Sequence, residues 1–141
     1  MSEQDLVGIA RGLVEAFSAA DWDGAAAPLA KDSVYIELGT QRTLNGPAEI
    51  IQALQGWKQA MPDVKGTITN SFQSGNTVTL EVTWTGTHTG PLEMPGGAIP
   101  GSGKSQTTPS AWVLDFEGDK VIQSRHYFDM MTLLTQLGIS P

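Results

Sequence analysis

The carboxylate of Asp129 and the imidazole of His88 are the side chains in this sequence best suited to move a proton. Asp129 lies where a strand pattern ending in Tyr127-Phe128 meets a short helix pattern that begins at Met130. An Asp at such a junction caps the helix, or acts as a general acid/base in a pocket, and the sequence leaves both roles open. An apolar pocket would raise the pKa of this carboxyl group, whereas the helix N-terminus would favour its anion.

His88 belongs to the clearest β pattern of the chain. Residues 77–89 alternate, and His88 shares the apolar face with Trp84, opposite a face rich in threonine. One interpretation is a buried imidazole held by a neighbour. The other is a catalytic or substrate-orienting role, because Gly86 and Gly90 flank the histidine and would let a ligand approach the backbone. The chain has only two histidines and neither has a metal-ligand spacing, so no zinc site is expected.

Strand parity supplies possible companions for Asp129. Arg125 and Tyr127 share its face of the last strand, and His126 lies on the opposite face. If Asp129 faces a cavity, Arg125 and Tyr127 face it too and His126 points outward, although a single β-bulge would reverse this assignment. Arg125 would then bind Asp129 or a substrate oxygen, and Tyr127 would donate to a substrate carbonyl. The alternatives are an ion pair at the rim for Arg125 and a core position for Tyr127.

The remaining candidates are residues that would line a pocket. Tyr35 and Glu37 are in phase on the first predicted strand, and Glu37 is a second candidate carboxylate, with a solvated strand residue as the alternative. Met61 and Ile99, at a helix end and in a long loop, would line the mouth. Three large side chains would be shared between core and cavity wall: Trp57, Trp84 and Trp112.

Composition narrows the class of protein. The 141 residues suit one domain spanning 1–141. A net charge of -7 without a basic stripe argues against nucleic acid as a partner, and it disfavours anionic membranes. The absence of cysteine removes disulfides and thiolate nucleophiles. With a polar, acidic N-terminus and no apolar run near the roughly 20 residues of a membrane span, we expect a cytoplasmic protein with no membrane partner.

The spacing of apolar residues changes along the chain, and these changes predict the helices and strands that position the candidate residues. Helices are predicted over 5–20, 25–30, 48–60 and 130–137, and strands over 33–39, 66–73, 77–89, 107–117 and 120–128. The Gly/Pro-rich connection 90–104 is too long for an ordinary hairpin and would form a lid or pocket rim. Helices followed by a curved run of antiparallel strands and a short C-terminal helix make an α+β fold. A bent sheet with helices on one face forms a cone, whose inner wall would enclose a ligand cavity.

Several segments resemble the SnoaL-like polyketide cyclases, within the nuclear transport factor 2-like, or ketosteroid-isomerase-like, superfamily. They are Met61-Pro62-Asp63, the stretch 84–90 (WTGTHTG), Tyr127-Phe128-Asp129 and the stretch 133–138 (LLTQLG). The resemblance implies a cone-shaped α+β barrel, commonly a homodimer through the outer sheet face, with a small hydrophobic substrate and no metal or organic cofactor.

The resemblance also implies a chemistry. Founding members of the family close a ring by intramolecular aldol condensation, and an Asp near the end of the last strand is their general acid/base; Asp129 matches it. In ketosteroid isomerases the region of Glu37 supplies the base. Two segments depart from the family pattern. The penultimate strand, 110–116, lacks an expected histidine, and Pro100-Gly101-Ser102-Gly103 varies a Pro-Pro-Thr-Gly-type rim.

The main hypothesis is a cofactor-free lyase or isomerase that acts on a hydrophobic carbonyl compound such as a polyketide, with Asp129 as general acid/base and His88 assisting. One alternative is a ketosteroid-isomerase-like proton shuttle. Another is an epoxide hydrolase that would hold one water between Arg125, Asp129 and Glu37. The third is a non-catalytic binding module for a small apolar ligand.

Overall fold

A computed structural model describes residues 5–94 and 96–139 of the chain. Its helices are α1 (Leu6–Ser18), α2 (Trp22–Ala26), α3 (Gly46–Ala60) and α4 (Met130–Gln136). Its strands are β1 (Leu29–Glu37), β2 (Arg42–Asn45), β3 (Lys65–Ser74), β4 (Thr77–Thr87), β5 (Leu92–Met94), β6 (Gly97–Ile99), β7 (Ser105–Glu117) and β8 (Lys120–Phe128). The predicted α+β fold, with N-terminal helices, a curved sheet and a short C-terminal helix, is confirmed.

The main sheet has six strands in the order β2-β1-β8-β7-β4-β3 and is not closed. Its neighbours are antiparallel except β1 and β8, which run parallel. This order places β8 between β1 and β7. As a result His126 is in register with Glu37 on one side and with Trp112 on the other.

Helices α1, α3 and α4 pack against the concave face of the sheet because each has a buried apolar side, whereas the short α2 contacts α1 and α3. Asp5 caps α1 by accepting a hydrogen bond from the Gly8 amide at 3.0 Å, and the buried side of the helix packs against β3 and β4. Pro47 stands in the first turn of α3, where its missing amide proton costs no helical hydrogen bond. No helix within the described residues is long and apolar enough to cross a membrane.

Local differences from the predicted elements have simple causes. The strands β2, β5 and β6 are too short to show a period, so they were not predicted; β5 and β6 pair as a hairpin inside the connection 90–104. Helix α2 begins at Trp22, earlier than predicted, because Asp21 caps it by accepting from the Gly24 amide at 3.0 Å.

A β-bulge in β8 decides which residues face the core. The register with β7 shifts between Asp115 and Phe116, which leaves Ile122 unpaired between Val121 and Gln123. Beyond this bulge, the side chains of Ser124 and His126 are buried on the concave face, as Val121 is before it.

Candidate active site

A cavity lies between the helices and the concave face of the sheet. The centre of a water-sized sphere can occupy about 60 Å³ of it. Its wall is largely aromatic and aliphatic, with a few polar side chains, the combination typical of small-molecule sites. The lining residues are Phe17, Tyr35, Glu37, Leu54, Trp57, Met61, Val64, Trp84, Gln106, Thr108, Trp112, His126, Phe128 and Leu133.

The carboxylate of Glu37 is fully buried at the end of β1 and accepts four hydrogen bonds. Its Oε1 accepts from Thr40 Oγ1 at 2.5 Å and from Arg42 Nε at 2.8 Å. Its Oε2 accepts from Tyr35 Oη and Trp57 Nε1, both at 3.0 Å. Burial by itself raises the pKa of Glu37, but the hydrogen bonds from Thr40 and Arg42, with the charge of Arg42, outweigh it and hold the pKa below its ordinary value. Glu37 is therefore an anion at neutral pH.

Tyr35 connects this anion to the imidazole of His126. Its Oη lies 2.9 Å from His126 Nδ1. Burial, and next the charge of Glu37, raise the pKa of Tyr35 well above its ordinary value, so the phenol keeps its proton. Because that proton is donated to Glu37, the phenol oxygen is left to accept from an Nδ1–H group. This assigns the neutral His126 ring as the Nδ1–H tautomer, with the lone pair on Nε2.

Trp84 Nε1 and Ser110 Oγ both lie within hydrogen-bond distance of His126 Nε2, and each of them also has another acceptor. Trp84 Nε1 lies 3.2 Å from Nε2 but only 2.9 Å from Ser110 Oγ. Ser110 Oγ lies 3.1 Å from Nε2 and donates to the Val82 carbonyl at 2.9 Å. Both donors can therefore stay bonded when Nε2 takes a proton.

Burial also sets the charge of His126. The ring is enclosed by aromatic side chains, and its burial lowers its pKa to about 4, against the smaller opposing effect of the Glu37 charge. Trp112 stacks on one side, with ring centroids 5.0 Å apart and planes at 20°. Phe128 meets the imidazole edge-on at 5.2 Å. The Phe128 ring packs against Gly39, where any Cβ would overlap the ring. At neutral pH the site therefore presents a neutral imidazole in an apolar wall.

Asp129 does not line the cavity. It is exposed at the N-terminus of α4, where its Oδ1 accepts from the Met131 amide at 3.0 Å and its Oδ2 from Thr132 Oγ1 at 2.7 Å. The Thr132 hydrogen bond is the main reason that its pKa is lowered. The capping interpretation is confirmed, and the effect of the helix end on the carboxyl group has the expected direction. A catalytic role for Asp129 stays a prediction, without support from its position.

The face of β8 that was expected in the cavity points outward. Arg125 Nη1 pairs with Asp115 Oδ2 at 2.7 Å, and Tyr127 is 44% exposed. Phe128 and His126 share the other, more apolar face, and the burial of this face fixes the orientation of the strand. The expectation that Arg125 and Tyr127 face the cavity while His126 points out is thus reversed.

His88 is fully buried, yet it is not among the residues that line the cavity. Its Nδ1 accepts from the Ser102 amide at 3.2 Å and lies 3.1 Å from Ser102 Oγ, so it anchors the end of the long connection. The flanking glycines make room for the chain itself: Gly86 packs against Met61, and Gly90 against the backbone of Gln59. The interpretation as a buried imidazole held by a neighbour fits the contacts of Nδ1, whereas Nε2 has no hydrogen-bond partner among the described residues. The assisting role proposed for His88 stays a prediction.

The structure brings together most of the predicted pocket residues. Ile99 packs against the hydrophobic core from β6 but is not in the lining. The main residue that sequence reasoning missed is His126, although its phase with Phe128 was a usable signal. Six predicted residues do line the cavity: Tyr35, Glu37, Trp57, Met61, Trp84 and Trp112.

Within residues 5–94 and 96–139, no three His, Cys, Asp or Glu side chains lie close enough together to hold a metal ion. The polar groups that line the cavity, apart from Glu37, are neutral hydroxyl, amide, indole and imidazole groups. This donor set suits proton transfer and hydrogen bonding to a neutral organic ligand.

Solved structures with the same fold come from several bacteria. A SnoaL-like polyketide cyclase candidate from Jannaschia sp. CCS1 has 17% sequence identity and a TM-score of 0.85, over 100% of this chain and 99% of its own. IdmH, a polyketide cyclase candidate from Streptomyces antibioticus, has 22% identity and a TM-score of 0.81, over 96% and 100%. AclR, a hydroxylase candidate from Streptomyces galilaeus, has 23% identity and a TM-score of 0.82, over 99% and 89%. At these identities the likeness shows the fold alone.

A comparison with curated proteins gives no match. The sequence profile of the SnoaL-like polyketide cyclases matches residues 8–137, nearly the whole chain. The chain belongs to the SnoaL-like polyketide cyclase family.

Proposed function

We propose that this protein is a cofactor-free acid/base enzyme that acts on a hydrophobic carbonyl compound, with His126 as the group that takes and returns the proton. The observation that carries the proposal is the hydrogen-bonded chain from Glu37 through Tyr35 to a neutral imidazole in the cavity wall. The reaction class is an intramolecular aldol closure of a polyketide-type chain or a related isomerisation. Family membership supports this class, and IdmH is a candidate for the same activity.

The proton transfers follow from the tautomer of His126. Nε2 takes a proton from the carbon beside a substrate carbonyl, and the electron pair of that C–H bond forms an enolate. In the aldol case the enolate carbon attacks a second carbonyl of the same molecule, forming a C–C bond and an alkoxide. The imidazolium returns its proton to that alkoxide, so no atom is gained or lost. A His126 pKa of about 4 makes the imidazolium a ready acid for this second step.

Tyr35 and Glu37 act on the imidazole and not on the substrate. While His126 carries the extra proton, its Nδ1–H group still donates to Tyr35, which donates to the Glu37 anion. The charge of Glu37 raises the pKa of His126 and so stabilises the imidazolium. Glu37 itself has no lone-pair site left for a substrate proton, because all four of its acceptor sites are used. We therefore assign it as a positioning residue.

The wall around His126 selects the kind of substrate. Apart from Glu37, the lining residues are uncharged, and most are aromatic or aliphatic, so a neutral, apolar molecule loses the least hydration on entry. The volume of about 60 Å³ open to the centre of a water-sized sphere corresponds to room for several waters, which suits a small ring or the reacting end of a longer chain. A substrate of polyketide length would extend through the mouth of the cavity.

The test is α-proton exchange in deuterium oxide, followed by proton NMR on small hydrophobic ketones and short acyclic diketones. The wild-type protein should speed the exchange of α-protons, and with diketones it should also form the cyclic aldol. His126→Gln keeps a polar side chain of similar reach but cannot take a proton at neutral pH, so exchange should fall to the rate in buffer. Thr132→Ala is the matched control, because its hydroxyl lies on exposed α4 outside the cavity.

The outcomes separate the candidate functions. Equal exchange by wild type and a folded His126→Gln variant would remove His126 as the base. Binding of ketones by the wild type without any exchange would favour the binding module. The epoxide hydrolase alternative needs Arg125, Asp129 and Glu37 around one water. The structure does not bring these three together, since Glu37 lines the cavity whereas Arg125 pairs with an acid on the opposite face of the sheet.

A further inference from the structure

We propose that the indole N–H of Trp112 is the hydrogen-bond donor that holds the carbonyl oxygen of the ligand beside His126. The role in catalysis rests on the function proposed above, whereas the binding role does not. Trp112 lines the cavity, is only 4% exposed, and has no hydrogen-bond partner for Nε1.

Three tryptophans line the cavity, and their donors differ. Trp57 Nε1 donates to Glu37 at 3.0 Å, and Trp84 Nε1 donates to Ser110 at 2.9 Å. Both are committed to the network that fixes the imidazole. Trp112 Nε1 is the donor of this group without an acceptor among the described residues. A buried N–H group without an acceptor is unfavourable, and an acceptor oxygen on a bound ligand would remove that cost.

The position of Trp112 suits the chemistry of the neighbouring imidazole. Trp112 and His126 are paired across β7 and β8, and their rings are stacked with centroids 5.0 Å apart. The α-carbon of a ketone is two bonds from its oxygen. An oxygen held by the Trp112 N–H group therefore keeps the α-carbon close to the adjacent imidazole. As the proton leaves, negative charge builds on that same oxygen, where a fixed donor in an apolar wall stabilises it most.

Other polar groups of the wall are less suited to this role. Thr108 Oγ1 donates to Gln106 Oε1 at 2.6 Å, and Gln106 Nε2 lies 3.6 Å from Met61 Sδ, a weak acceptor. Neither residue is stacked on His126. The ligand class that fits Trp112 and His126 together is a small, apolar molecule that presents a carbonyl oxygen to the indole N–H group.

The experiment compares two probes of nearly equal shape, cyclohexanone and methylenecyclohexane, which differ in whether they carry a hydrogen-bond acceptor. Proton–nitrogen correlation spectra of the whole protein resolve the indole N–H signals of its four tryptophans, assigned through bonds in the wild type. Cyclohexanone should move the Trp112 signal downfield, and methylenecyclohexane should not. Trp112→Phe keeps an aromatic ring without the donor, so cyclohexanone should bind about three- to tenfold more weakly while methylenecyclohexane binds as before.

Trp22→Phe is the matched control, because Trp22 lies on α2 outside the lining and should change neither affinity. Equal weakening of both probes by Trp112→Phe would overturn the proposal, as would a Trp112 signal that responds to both probes alike or an absence of cyclohexanone binding. The wild-type shift decides the matter even if the variant fails to fold.

The two proposals can fail separately. If cyclohexanone binds through Trp112 but its α-protons do not exchange, the proposed catalytic function fails and the binding site stands. If the α-protons exchange but Trp112 does not distinguish cyclohexanone from methylenecyclohexane, only this inference fails and the proposed catalytic function is unaffected.

Discussion

The phenol oxygen of Tyr35 lies 2.9 Å from Nδ1 of His126, although the two residues are 91 positions apart in the chain. The contact exists because β1 and β8 pair in parallel, which sets Tyr35 and Glu37 beside Ser124 and His126. The phenol group of Tyr35 donates to the Glu37 carboxylate, and its oxygen also lies beside the His126 imidazole. Tyr35 therefore fixes which nitrogen of His126 carries the proton.

The first prediction concerns that tautomer. Tyr35→Phe keeps the ring in the core but removes the oxygen that accepts from Nδ1 of His126. Nitrogen NMR should show Nδ1 protonated in the wild type and a mixture of tautomers in the variant. The rate of α-proton exchange should fall by up to about a hundredfold, within the range of a general acid/base contribution. An unchanged wild-type rate in the variant would show that Tyr35 does not position His126.

The second prediction concerns the buried anion. Glu37→Gln replaces an oxygen that accepts two hydrogen bonds by an amide that donates, so donors such as Tyr35 and Trp57 lose their acceptor inside the core. We expect the free energy of unfolding in urea to fall by about 2–4 kcal/mol. Arg125→Gln is the control: Arg125 pairs with Asp115 on the outer face of the sheet, where both side chains are partly exposed, so the loss of this pair should cost about 1 kcal/mol or less. Equal losses in the two variants would mean that the buried hydrogen-bond network of Glu37 stabilises the fold no more than a partly exposed ion pair does.

The third prediction concerns Asp129. Asp129→Asn keeps an oxygen that can accept from the Met131 amide, so α4 should remain folded. Because the carboxylate is exposed and outside the cavity lining, we expect ketone exchange at the wild-type rate. Asp129→Ala should loosen α4, which hydrogen exchange of its amides would detect. Loss of activity in a folded Asp129→Asn variant would restore Asp129 as the general acid/base.

Much of the fold can be predicted from local pattern alone. The apolar spacing of α1 and α3 and the alternation of β4 are each contained within one segment, and the structure has them close to where the pattern predicts. The parallel pairing of β1 with β8 joins segments far apart in the chain. No local period carries that information, so the sequence indicated antiparallel strands only.

Those site residues that belong to a clear local pattern could also be predicted from the sequence. Glu37 and Trp84 could be recognised because each is in phase with buried neighbours on its own strand. To predict that His126 faces the cavity, one must know which of the two faces of β8 is buried. The bulge at Ile122 shifts the alternation of the strand by one residue, so the buried position Val121 does not by itself indicate the buried face beyond the bulge. Phe128 indicated the correct face, but the carboxylate of Asp129 indicated the other. A capping role explains why a carboxylate stands at that junction without facing the cavity.

The last prediction is a pH dependence of stability that comes from His126. Its pKa is about 4 in the folded protein, below the ordinary 6.5 expected in the unfolded chain. Between these values the unfolded chain binds more protons, so stability rises with pH in this window and is lost as the pH falls. From pH 7 to pH 5 the His126 contribution should lower the free energy of unfolding by about 2 kcal/mol.

The control for this prediction is His126→Gln, which removes the titrating ring and keeps His88 and the carboxylates. The lowered pKa of Glu37 also makes stability fall with decreasing pH, but only as the pH approaches the ordinary carboxyl value of 4.5, below the window chosen here. The difference between wild type and variant, measured by urea unfolding at both pH values, therefore isolates the imidazole. Parallel curves for the two proteins would show that His126 keeps an ordinary pKa in the folded state. It would then be partly charged near neutral pH, and the neutral base required by the proposed mechanism would have to be another group.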